Sequence, residues 1–146
     1  MAASAWFIFN RAKGYLMDGT IDLDTDKFFF TLHTSAADLT ANAPNLTSFA
    51  SVGSEVAEGN GYSSSGKQLS AVTWGVGASA GEYRFDCTAK IWTATGGNIA
   101  NVRYAVIRVS GGQVLAWAEL STAQFTVTQG NTLTITPSAN GIFELN

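Results

Sequence analysis

Three aspartates at alternate positions, Asp22, Asp24 and Asp26, carry the spacing with which many calcium loops begin. A helix-loop-helix site counted from Asp22 would need glycine at its sixth position and a bidentate acid at its twelfth. Those positions hold Lys27 and His33. A cation beside the ligands and an imidazole in place of two oxygens argue against a metal. The stretch reads instead as a hairpin with a four-residue loop from Asp24 to Lys27, because β-branched Thr25 resists the positive φ of a two-residue turn. In that register Leu23 faces Phe28, Ile21 faces Phe30, and Asp22 points outward.

Other chemistry-bearing residues are scarce. His33 is the only histidine and Cys87 the only cysteine, which excludes an internal disulfide, a two-His metal centre and a multi-cysteine zinc site. His33 follows three phenylalanines on an expected strand and shares a face with Phe29 and Thr31, so it reads as a surface or interface imidazole. Cys87, between Tyr83, Phe85 and Ala89, reads as a small buried thiol. No nucleophile elbow, phosphate loop or dinucleotide fingerprint is present, and the glycine-rich GNGYSSSGK lacks the strand and helix that a phosphate cradle requires. The acids number 11 and fall mostly at expected turns or exposed faces. These residues point to no catalytic site, no metal and no cofactor. Trp6, Trp74, Trp92 and Trp117 leave a sugar-binding aromatic platform open. Trp117 is placed in the core by its register, and Trp74 and Trp92 are left undecided.

The elements that would position these residues form one domain of 146 residues, of which 13% are charged. The lysines and arginines number eight; Arg11, Lys13, Arg84, Arg103 and Arg108 among them are scattered, and the net charge is −3, so no nucleic-acid partner is expected. The longest apolar run, Ala5 to Phe9, is too short for a membrane span, and no secretory signal is seen, which suggests a chain made in the cytoplasm. A short helix is expected from about Ala5 to Met17, with Trp6 to Phe9 alternatively an extended arm. From residue 20 to 146 the texture is short β-branched and aromatic runs divided by Gly, Asn and Ser. This defines an all-β class, an antiparallel β-sandwich or jelly-roll-like domain.

Strands are expected at Thr20 to Leu23, Lys27 to Thr34, Glu55 to Glu58, Leu69 to Val76, Glu82 to Ala89, Val102 to Val109, Gln113 to Leu120, Gln124 to Thr128, Thr132 to Thr136 and Gly141 to Leu145. Helical turns are open at Ala36 to Leu39 and Asn45 to Ala50. A two-residue Gly111-Gly112 turn would pair Val109 with Val114, Ile107 with Ala116, Ala105 with Ala118 and Val106 with Trp117. Both faces of that hairpin are apolar, as in a central hairpin covered on each side. A loop at Gln129 to Asn131 would pair Val127 with Leu133 and Phe125 with Ile135, leaving a threonine-rich face to solvent or to a wet interface.

The order of NRAKGYLMDGTIDLDTDKFFFTLHTS, SEVAEGNGYSSSGKQLS, NVRYAVIRVSGGQVLAWAEL and the closing NGIFEL resembles a family of small structural proteins of tailed-bacteriophage virions. Residues 36 to 53 lie outside the resemblance, and the second motif ends in Ser-Gly where the family commonly has Gly-Gly. The resemblance implies a non-enzymatic building block: a capsid decoration or cement protein that binds the major capsid protein, or a minor head or tail component. It implies a location in the virion, on the capsid exterior for a decoration protein, and a closed homo-oligomer, trimer or dimer. The aromatic residues Trp6, Phe7 and Phe9 of the arm, and Phe29, which has no assigned partner on its outward face and needs a second sheet or a neighbouring subunit to cover it, are the candidate interface. Deleting residues 1 to 9 is then expected to weaken assembly while leaving the β-domain folded. A carbohydrate-binding sandwich used in host attachment is the alternative.

Overall fold

The computed structural model describes residues 4–37, 39 and 43–145, an all-β, antiparallel, sandwich-like fold preceded by one short helix. Its organising feature is a single bent hairpin that runs from Tyr83 to Leu145. Four successive ladders build it: β5 (Tyr83–Asp86) on β12 (Phe143–Leu145), β6 (Lys90–Thr93) on β11 (Thr132–Ile135), β7 (Ile99–Val102) on β10 (Phe125–Val127), and β8 (Tyr104–Val109) on β9 (Val114–Glu119). All are antiparallel and the register drifts by only a few residues from end to end. The remaining strands pair onto this ribbon. β2 (Phe28–His33) lies on β8, β1 (Phe7–Ile8) on β9 and β3 (Lys67–Gln68) on β2, which makes a five-stranded sheet in the order β1-β9-β8-β2-β3. β4 (Thr73–Val76) pairs with β5 and completes a three-stranded sheet, β12-β5-β4.

The central hairpin follows the expected register at Ile107 to Ala116, Ala105 to Ala118 and Val106 to Trp117. Near the tip it departs. Arg108, not Val109, faces Val114, because the loop has three residues, Ser110 to Gly112, closed by Val109 N–H to Gln113 O and Gly112 N–H to Val109 O. Gly112 takes φ +93, the left-handed residue that such a loop requires, and a bulge between Ile107 and Arg108 restores the register. Both faces are covered, and Tyr104 through Ile107 and Val114 through Ala116 are buried.

Two expected hairpins do not form. Val127 faces Ile99 and Leu133 faces Trp92, so Gln129 to Asn131 is a kink in a continuing ribbon and not a reversal. The kink is a β-turn, Asn131 N–H to Thr128 O with Gly130 at φ +87, and an opposed bend matches it: Ala94 donates to Asn131 O and accepts from Gly130 N–H. Thr126, Thr128, Thr132 and Thr134 face solvent as expected. Residues 20 to 23 are not a strand either. β2 finds its partners in β8 and β3, leaving Ile21 and Leu23 as buried plugs in a tight turn. Glu55 to Glu58 contributes only one bridge, Glu55 to His33, and β6 was not anticipated.

The expected helix begins later than its periodicity suggested. Ser4 to Phe9 is extended and zipped to β9 through Ser4 N–H to Glu119 O and Phe9 N–H to Leu115 O, so α1 spans Asn10–Met17. Helix α1 buries Ala12 and stops at Gly19, which takes φ +77. Residues 34 to 56 as far as described cover the second face of the five-stranded sheet, with Ala37, Leu39, Ala43 and Val52 buried. They include a 3-10 turn at Ala43–Asn45 and a short helix α2 at Phe49–Val52 with a Ser48–Ser51 capping box. The helical turn considered at Ala36 to Leu39 lies partly outside the described residues.

Candidate interaction surface

The four residues named as a candidate interface have different fates. Phe9 is buried at the junction of the arm and α1, so it belongs to the core of this chain and is not offered to a neighbour. Trp6 is half-buried, its ring stacked on Phe30 at 5.3 Å. Phe29 is half-buried because the guanidinium of Arg108 lies 4.3 Å above its ring. Arg108 also sits 5.1 Å from the Phe49 ring and donates from Nε and Nη2 to the Ser65 carbonyl. A cation from the neighbouring strand thus covers the phenylalanine that had no assigned partner. Phe7 alone stays open, 48% exposed on the edge strand β1, with its ring 5.0 Å from Trp117.

Trp117 is half-buried rather than core, since Phe7 and Tyr104 flank it but leave one side open. Beside it the Arg103 guanidinium lies 5.0 Å from the Tyr104 ring and donates to Glu119 Oε1 at 2.7 Å. Behind the arm, Trp6, Leu120, Ile135 and Phe143 wall a cleft of about 730 Å³ between Ser4–Trp6 and the start of β12.

The chemistry-bearing residues are structural. Asp22 accepts the N–H groups of Asp24 and Thr25, and Asp26 accepts that of Asp22, so two of the three carboxylates cap the turn. Those N–H bonds hold the Asp22 carboxyl below the ordinary range. His33 is fully buried, against the expectation of a surface imidazole, because Phe49 and Gly53 fold over its face. Its Nδ1 lies 2.8 Å from Gly53 O and its Nε2 2.9 Å from Thr31 Oγ1. The carbonyl can only accept, so Nδ1 carries the proton, and the Thr31 hydroxyl donates to Nε2 of a neutral ring. Burial pushes the His33 pKa down to about 4. Burial, then the Asp86 charge, pushes the Cys87 thiol up to about 11. Cys87 is the inert buried thiol that its neighbours suggested.

The GNGYSSSGK stretch is a clamp. Tyr62 is buried and donates its hydroxyl to Glu55 Oε1 at 2.6 Å while accepting Leu32 N–H, and burial raises its pKa. Glu55 Oε1 also accepts Ser65 N–H. Gly61 and Gly66, both at positive φ, press their α-carbons against Thr93 O and Phe30 O, where no side chain would fit. The G-x-G-Y order was the visible signal for this clamp; the Glu55 partner was not legible.

A second open surface was missed. The exposed large apolar residues among those described are Phe7, Met17, Val76, Tyr83, Ile91 and Leu145. Leu145, Tyr83 and Val76 lie directly opposite one another across β12, β5 and β4. Met17 and Leu145 meet at a groove of about 420 Å³ whose walls include Ile21, Leu23 and Trp74. Trp74, left undecided from sequence, is half-buried there with the Tyr83 ring at 5.4 Å, whereas Trp92 is fully buried.

The fold and these surfaces define a class no narrower than an all-β domain with two open apolar patches. Comparison of the chain with models of known families, with curated proteins and with solved structures returned no match in any of the three.

Proposed function

We propose that this chain is a non-enzymatic structural protein of a tailed-bacteriophage virion, a head decoration protein that binds the major capsid protein and stabilises the shell. The sequence resemblance supplies the class. The observation that carries the structural side is the arm: an edge strand zipped to β9 that holds an open phenylalanine over a tryptophan at the rim of the sheet. An apolar side chain fixed in this way loses little conformational freedom on docking, which suits contacts repeated over a large surface. Self-association into a closed dimer or trimer belongs to the same reading.

The test is the copy number of the chain in purified particles by mass spectrometry, together with their rupture temperature. Near-stoichiometry with the coat protein and a higher rupture temperature support decoration. A few copies would reassign it to tail or vertex, and absence from particles refutes the reading. Because Phe9 is core, deletion of residues 1 to 9 would unfold part of the sheet, so Phe7→Ser is the informative variant. It should weaken particle binding about tenfold with little change in stability.

A carbohydrate-binding module is the second reading, favoured by the open Phe7–Trp117 pair beside the Arg103–Glu119 ion pair. It predicts glycan-array signals that Trp117→Ala abolishes and no effect on particle rupture.

A further inference from the structure

Four of the six exposed large apolar residues, Met17, Val76, Tyr83 and Leu145, gather at one end of the β12-β5-β4 sheet. Met17 is 88% and Val76 68% exposed. The row Leu145, Tyr83, Val76 is two residues from the row Phe143, Phe85, Trp74 and shares its face. The second row lies over the core, whereas the first runs past the end of it. The inward face of the sheet therefore continues beyond the molecule's own cover, and the groove beside Met17 opens onto it.

The rim of this patch is acidic. Between Gly14 and Asp26 stand four aspartates and no lysine or arginine, so that with the chain at −3 the remaining residues carry +1. Asp22 lines the groove, Asp24 and Asp26 lie on its turn, and Asp18 caps the end of α1 just before it. Two copies meeting at this face would oppose their aspartates. A partner with cations around an apolar anchor would pair with them and release the apolar row from water.

We infer that this groove and row dock a segment of another protein that presents an apolar side chain flanked by Lys or Arg. On the virion reading, on which this identification of the partner rests, the segment belongs to the coat protein. The apolar contact provides the anchor, while the aspartates select the partner and steer it.

The full chain can be titrated with 4-phenylbutylammonium and with 4-phenylbutyrate, which share a hydrocarbon and differ in charge, while backbone amides are followed by NMR. The inference expects shifts at Met17, Gly19 and Trp74 with the cation and much weaker ones with the anion; equal responses, or none, overturn it. Particles stripped of the chain provide the second arm. Met17→Lys with Val76→Glu, both at exposed positions, should weaken rebinding at least tenfold with an unchanged melting temperature. Asp24→Lys should weaken it about two- to threefold at low salt and not at 1 M, where the screening length is about 3 Å. Equal rebinding of wild type and variants removes the inference but leaves a virion protein. If particles bind none of them while the ammonium probe still occupies the groove, the virion reading fails and the groove stands. Sedimentation showing a wild-type dimer that Met17→Lys with Val76→Glu dissociates would assign the face to a second copy and overturn the inference.

Discussion

Acid should unfold this protein through His33 before its carboxylates matter. The ring is buried and neutral, between the Gly53 carbonyl and the Thr31 hydroxyl, with a folded pKa near 4 against an ordinary value of 6.5. In the unfolded chain it binds a proton more readily, so stability is complete above about pH 6.5 and falls as pH drops towards 4. Linkage gives a loss of about 2 kcal/mol at pH 5 and about 3 kcal/mol at pH 4, a large share of a typical domain's total stability. Asp18 and Asp22, whose pKa values lie below the ordinary carboxylate range, add their losses only at lower pH. The assay is urea unfolding at half-unit steps from pH 7.5 to 4.5. His33→Gln should be less stable at neutral pH, since the Gly53 and Thr31 partners fit it poorly, yet nearly flat across the same range. A wild-type curve flat from pH 6.5 to 5, or an unchanged slope in His33→Gln, would refute the reasoning.

Three further outcomes can be checked by the same unfolding assay. Tyr62→Phe removes a hydroxyl that serves both Glu55 and the Leu32 amide, and should cost about 1–3 kcal/mol by leaving the buried Leu32 N–H unpaired. Gly66→Ala should prevent stable folding, because its new methyl would collide with Phe30 O, whereas Gly130→Ala, at positive φ but in open space, should cost only about 1 kcal/mol. Glu119→Ala should change stability by no more than about 1 kcal/mol, since its ion pair with Arg103 is partly exposed.

The class of the fold and the middle of its central hairpin were legible because they depend on local signals. Nearly continuous apolar runs mark both faces of β8 and β9 as covered, and two glycines mark the turn between them. What failed was the choice of partner. The run from Phe125 to Ile135 has the same alternation and the same Gly-Asn punctuation as a hairpin, but punctuation marks a bend and does not say whether the chain reverses. Here Ala94 opposes Gly130 and Asn131, and the bend is shared by two strands about 35 residues apart. His33 was misplaced for a related reason. Its burial is produced by Phe49 and Gly53, from a stretch that carries no alternation, so the strand that holds it looked open on that side.

The same geometry accounts for the open patch at Val76, Tyr83 and Leu145. Each end of a hairpin of this length is a place where an apolar row can outrun its cover. One end is the tip at Ser110–Gly112, which Phe49 N–H closes by bonding to Gly112 O and which Ser48 bridges at Gln113. The other end is the β12-β5-β4 sheet, where Leu145, Tyr83 and Val76 have no such cover among the described residues. Evolution of a monomer would be expected to place charge there, as edge strands usually carry it, but residues 70 to 80 contain none. The uncharged edge and the aspartates beside it are two halves of one argument: an apolar row that needs covering, next to a charge that decides what covers it.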